Sequence, residues 1–341
     1  MTRTQPPYLH VKAGRDEPIL EPELRIIDSA HHLFDRPALR YMLEDYLEDA
    51  YAGHRIVASI YVETLAFART SGAEVLRPLG EIEFANGLGA MTASGVYGDC
   101  RACAAIVGNA DLRFGTAVSE LLDRALSAAP ERFRGVRQLC IEPLTEAPLR
   151  YVTNPPPGNL MKHPEFRAGM RELSVRNLSF DLAVFHHQLA DACELVDAFP
   201  NMSFVLNHLG QAVAMEVDND ERARVFEQWR DALRNLARRP NVVCKVGGLG
   251  LPFWGFGFEE RPDAVGYLEL AKTWTPYVET VIDAFGADRC MMESNYPPDG
   301  RSCGFVPLWN ALKHIVRGAS EHEKAALFHD TAARTYRVVL P

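Results

Sequence analysis

Met291-Met292-Glu293-Ser294-Asn295-Tyr296-Pro297-Pro298-Asp299 is a short apolar run that ends in a carboxylate, a hydroxyl and an amide and is halted by two prolines. A buried strand whose C-terminal end carries polar chemistry has this pattern. Similar runs recur upstream at Arg25–His31, 56–63, 102–108, 135–140, 178–186, 204–208 and Val242–Val246. Most are continuously apolar, as strands covered on both faces must be, and helical patterns such as 115–129, Pro164–Val175, 190–199, 221–237 and Tyr267–Phe285 alternate with them. Alternating β and α units without a linker imply a parallel sheet. With eight strand candidates the expected architecture is a single closed (β/α)8 TIM barrel over residues 25–341, preceded by an extended N-terminal arm, residues 1–24. The competing open, doubly wound sheet lacks a phosphate loop: Gly247-Gly248-Leu249-Gly250 opens no clean helix and has no acidic residue at the required distance.

The bulk numbers narrow the partners. A formal charge of −9 and a pI near 5.7 offer no basic field for nucleic acid. No apolar stretch approaches the roughly 20 residues that cross a bilayer, so a soluble, cytoplasmic protein with no membrane partner is expected. Seven cysteines, scattered through apolar runs, suit reduced core thiols, and Cys100-x-x-Cys103 has no second pair at zinc-site spacing. The arm is free to pack on a second copy, which leaves a homo-oligomer open.

In a barrel all strand C-termini face one side, so polar residues at those ends converge on one pocket that takes a small molecule. Strand one offers Asp28, His31 and His32, strand two Glu63, strand three Asn109 and Asp111, and strand four Arg137. Strand five offers His186 and His187, strand six His208, strand seven Lys245, and strand eight Glu293, Asn295, Tyr296 and Asp299. The long loops 153–158 and 251–262, the latter with Phe253, Trp254, Phe256 and Phe258, would lie over the mouth as substrate wall, lid or subunit contact.

Taken in order, Ile27-Asp28-Ser29-Ala30-His31-His32, Gly135-Val136-Arg137, Asn207-His208-Leu209-Gly210, Cys244-Lys245-Val246-Gly247-Gly248 and Glu293-Ser294-Asn295-Tyr296-Pro297 resemble the amidohydrolase-related, metal-dependent hydrolases. The similar branch contains 2-pyrone-4,6-dicarboxylate lactonase and fuconolactonase, and the likeness runs from about Leu24 to the C-terminus. It implies a TIM barrel and a hydrolase that opens the lactone ring of a small acidic metabolite with activated water. A lyase of the same wider group, or an altered barrel that binds without turnover, is the alternative.

Two departures bear on the metal. Where that family has two strand-one histidines on one face, the first position here is Ala30 and only His32 remains, while His31 points the other way by strand parity. Where it has a metal-binding aspartate at strand eight, this chain has Asn295. Chemistry without a cofactor is therefore favoured, with zinc or manganese on His32, His186 and His208 as the alternative, since three imidazoles suffice for a catalytic zinc. Asp299 is the preferred base for water and Glu293 the second choice. His32, His186, His208 and Lys245 are expected to stabilise the oxyanion beside Asn295. Arg137 is expected to fork onto a substrate carboxylate, with Glu63, His31 and Tyr296 as further substrate contacts.

Overall fold

The computed structural model describes residues 16–37, 39–152 and 155–340. Residues 1–15 of the arm, and Thr153 and Asn154 of the loop after the fourth strand, lie outside the described residues. Eight parallel strands follow one another in order round a single sheet: β1 (Arg25–His31), β2 (Arg55–Val62), β3 (Arg101–Asn109), β4 (Phe133–Leu139), β5 (Ser179–Ala183), β6 (Phe204–Leu206), β7 (Val242–Val246) and β8 (Cys290–Met292). The sheet closes on itself just beyond β8, where the Asn295 N–H donates to Ala30 O at 2.9 Å and the His32 N–H donates to Tyr296 O at 2.8 Å. This is the (β/α)8 barrel expected from the alternating runs.

Burial explains the uninterrupted apolar strands. Ile27, Ala58, Ile60, Val62, Ala105, Val107, Val205 and Met291 fill the barrel interior, and Ala332 and Tyr336 of the last helix join them. The opposite strand faces pack on the outer helices, among them α1 (Leu43–Ala50), α2 (Leu79–Ala93), α3 (Val118–Ala128), α4 (Pro164–Val175), α5 (Leu189–Ala198), α6 (Asn219–Leu236), α7 (Tyr267–Phe285) and α8 (Phe305–Ile315). A two-stranded hairpin, Phe34–Arg36 with Leu39–Tyr41, stands over the end of β1. Among the described residues no helix is long and apolar enough to cross a membrane.

The described part of the arm packs on its own barrel. The Asn310 side chain accepts from Leu20 N and donates to Pro18 O, and Lys313 donates to Leu20 O and Glu21 O. All seven cysteines are free and buried, and burial pushes the Cys100 thiol up to about 12 and that of Cys103 still higher.

Candidate active site

One cavity of about 480 Å3 opens at the C-terminal ends of the strands. Its polar side carries His32, Glu63, Asn109, Arg137, His208 and Asn295. These are strand-end residues of different strands, brought together because every parallel strand ends on the same side.

Arg137 is an inward residue near the C-terminal end of β4. Its Nε donates to Glu63 Oε1 and its Nη2 to Glu63 O, both at 2.8 Å, so the guanidinium stands across the mouth of β2 and β4 with one edge fixed. Burial raises the Glu63 carboxyl, and the Arg137 charge opposes that rise.

His32 follows β1. Its Nδ1 donates to Val62 O at 2.8 Å, and its Nε2 lies 3.1 Å from Asn295 Oδ1. Burial first, then the Arg137 guanidinium, holds the ring well below the ordinary imidazole range, so it is neutral and Nε2 is an acceptor. Asn295 Nδ2 in turn lies 2.7 Å from Asp299 Oδ1, and Asp299 Oδ2 accepts from Gly250 N at 2.9 Å. Burial pushes the Asp299 carboxyl well above the usual range. Half a turn of the Asn295 amide, which exchanges its oxygen and nitrogen, would give NH2 to the neutral His32 and turn the oxygen to the Asp299 carboxyl, whose protonated form burial favours.

His208 follows β6 in strained backbone. His208 and Leu209 take φ of 51° and 54°, a region where non-glycine residues persist only when their surroundings hold them. The ring is held by Glu293, whose Oε1 lies 2.6 Å from His208 Nδ1. Glu293 is fully buried, and its Oε2 has no hydrogen-bond partner among the described residues. Gly248, at φ +66°, passes so close that a Cβ there would stand 2.5 Å from His208 Nδ1.

Of the residues given a catalytic or substrate role, five do not line this cavity and a sixth, Glu293, reaches it only through His208; the strand-end residues Asp28 and His187 do not line it either. Lys245 was expected beside the substrate, but its side chain is sealed in the barrel, with Nζ 2.7 Å from Asp181 Oδ2 and Tyr336 beneath it. His186 was expected as an oxyanion donor or ligand. β5 stops at Ala183, and the His186 ring turns to the next loop, where Nδ1 accepts from Val213 N at 3.2 Å; burial lowers it to about 4. Asp299 was expected as the base, but both its oxygens are engaged away from the cavity. His31 was expected to touch substrate; it faces the outer layer as strand parity requires, stacked on Tyr46 at 4.1 Å and bonded to Ile60 O. The Tyr296 hydroxyl donates to Cys303 O inside the core.

Other lining residues were not singled out from the sequence. Arg36, Arg113, Gln138, Gln211 and Arg301 belong to the hairpin, loops and an outward strand position, and none stands in a strand-end motif that would flag it. Of the aromatic loop only Phe253 reaches the cavity; Trp254 and Phe256 pack on Tyr277 instead.

The donor set does not suit a divalent metal. Among the described residues no three His, Cys, Asp or Glu side chains are grouped to hold one, so the His32–His186–His208 set is not assembled. His32 Nε2 is occupied by the Asn295 amide, Ala30 supplies no ligand, and the guanidinium near His32 opposes a dication there.

The profile of an amidohydrolase family matches residues 27–338. The protein y4mH of Sinorhizobium fredii, described as uncharacterized, is 36% identical over 298 residues, 87% of this chain and 86% of that protein. An L-fucono-1,5-lactonase of Burkholderia multivorans is 29% identical over 244 residues, 70% of this chain and 73% of the enzyme. A crystal structure of an amidohydrolase from Burkholderia multivorans with bound zinc superposes with a TM-score of 0.71 at 23% identity, covering 92% of this chain and 99% of that one.

Proposed function

The chain belongs to the amidohydrolase family, and from that premise we propose that this enzyme opens the lactone ring of a small acidic metabolite with His208 as the base. The observation that carries the assignment is the 2.6 Å contact between His208 Nδ1 and Glu293 Oε1. It fixes the tautomer with the proton on Nδ1, so that Nε2, on a ring that lines the cavity, is free of that proton and can take one from water. Water attacks the lactone carbonyl carbon as its proton passes to His208 Nε2. The acyl–oxygen bond of the ring then breaks, and the imidazolium returns the proton to the departing ring oxygen, giving a hydroxy acid. Arg137 anchors the substrate carboxylate with the edge not held by Glu63, and the Asn295 amide lies beside the developing oxyanion.

No step is routed through a metal, because the side chains present do not suit one. A screen of lactones with a pH indicator, run with and without chelator, tests the reading. Turnover retained in chelator, and lowered about 10²–10⁴-fold in His208→Gln, is the expected result. Turnover abolished by chelation and restored by zinc or manganese would return the protein to metal-dependent hydrolysis. Undiminished activity in His208→Gln would remove the base.

A further inference from the structure

We infer that the substrate is amphipathic: an anionic lactone bearing a hydrocarbon substituent, not a hydroxyl-covered sugar ring. The inference rests on the lactonase reading and adds the class of substrate. Beside the polar strand ends, the cavity is lined by Leu65, Leu139, Ile141, Leu251, Pro252 and Phe253. This wall is built rather than accidental. Ile141, Phe185 and Phe253 form a separate buried apolar cluster over the barrel mouth, and the Phe253 ring is fixed edge-on against Phe185 at 5.3 Å. The Phe253 carbonyl also accepts from Ala214 N at 2.9 Å, which ties the loop after β7 to the loop after β6.

A sugar lactone carries hydroxyls on every side, and those turned toward such a wall would lose water without gaining a partner. A hydrocarbon chain there gains the full transfer free energy. At about 480 Å3 the cavity falls in the range of sites that enclose drug-sized ligands, which leaves room for a substituent beyond the ring itself. Charge sets the other end. Arg137 lines the cavity with Nε and Nη2 on Glu63, which leaves its other guanidinium edge for an anionic group. The same cavity thus offers a guanidinium for an anion and an apolar surface for a hydrocarbon.

The test is a homologous series of 5-alkyl δ-lactones that carry a ring carboxylate, with a carboxylated gluconolactone, D-glucaro-1,5-lactone, as the hydroxylated comparison. The expected result is a kcat/KM that climbs about three- to fourfold per methylene over the first several carbons, with glucarolactone below the longer alkyl members. Phe253→Ala should flatten that slope; the ratio of long to short members within the variant is the readout, so a general loss of activity does not obscure it. A flat wild-type series, or glucarolactone as the better substrate, overturns the inference. If no lactone is turned over, the hydrolytic reading fails and calorimetry still decides the substrate class. Octanoate binding more tightly than butanoate and gluconate supports the amphipathic site, and gluconate binding at least as tightly as octanoate overturns it.

Discussion

At the scale of single residues, two carboxyls behind strand eight have different work. Glu293 holds the imidazole proposed as the base, so Glu293→Gln should lower kcat about 10- to 10²-fold with little change in KM, the signature of an interaction needed in the transition state. Asp299, out of the cavity, should tolerate Asp299→Asn with a loss of less than about tenfold; a loss as deep as that of His208→Gln would make it the base after all. Asp28 offers a test of stability. Burial pushes its carboxyl up to about 7, against donors Ser294 N, Ser294 Oγ and Tyr46 OH, whereas the ordinary value is 3.8. The folded state therefore binds this proton more tightly than the unfolded one. The resulting stabilisation is complete below about pH 4 and is lost as pH rises through about 7, a span of a few kcal/mol. Melting temperatures of Asp28→Asn and the parent should diverge across that interval, and parallel curves would sink the assignment.

At the scale of elements, the loop after β7 shapes the base. Gly248 combines a positive φ with contact on the His208 ring, so Gly248→Ala should cost about 1 kcal/mol or more in stability and lower kcat at least about tenfold as the ring is displaced. Activity equal to the parent would mean that the ring can give way. The long strands and α4 and α7 were legible in the sequence because a continuous apolar run or a helical stripe is imposed by burial on both faces or on one. The helix α2 was not: it buries Glu81 and Thr92 with Leu79 and Ile82 and carries Gly80, Gly87 and Gly89, so no clean stripe marks it. The hairpin beside β1 is made of three-residue strands, too short for a period to register. His186 was misplaced for a related reason. Alternation of inward and outward residues holds only while the chain is extended, and β5 ends at Ala183, before the apolar run does. Lys245 illustrates depth: parity aims it into the barrel, yet parity does not say whether a residue stands at the mouth or under the floor.

Over the whole molecule, the far end of the barrel is shut by its last helix, Thr331–Tyr336. The Tyr336 hydroxyl donates to both Asp181 oxygens at 3.0 Å, Asn207 Nδ2 donates to Asp181 Oδ2 at 3.0 Å, and Lys245 completes the shell. Removing one member of a sealed ion pair strands the other charge. Lys245→Met should therefore lower stability by about 3–5 kcal/mol, read as a fall in Tm, and the double change Lys245→Met/Asp181→Leu should recover much of it. A variant as stable as the parent but catalytically dead would instead restore Lys245 to the chemistry.

The seam of the barrel is stitched by Asn295 and Tyr296 to Ala30 and His32, so the residues that close the ring are the residues that assemble the site. A chain that has stacked seven strands still lacks Asn295 and the Glu293 carboxylate that holds the His208 ring. Completion of the site thus waits on the docking of the last strand and the turn that follows it.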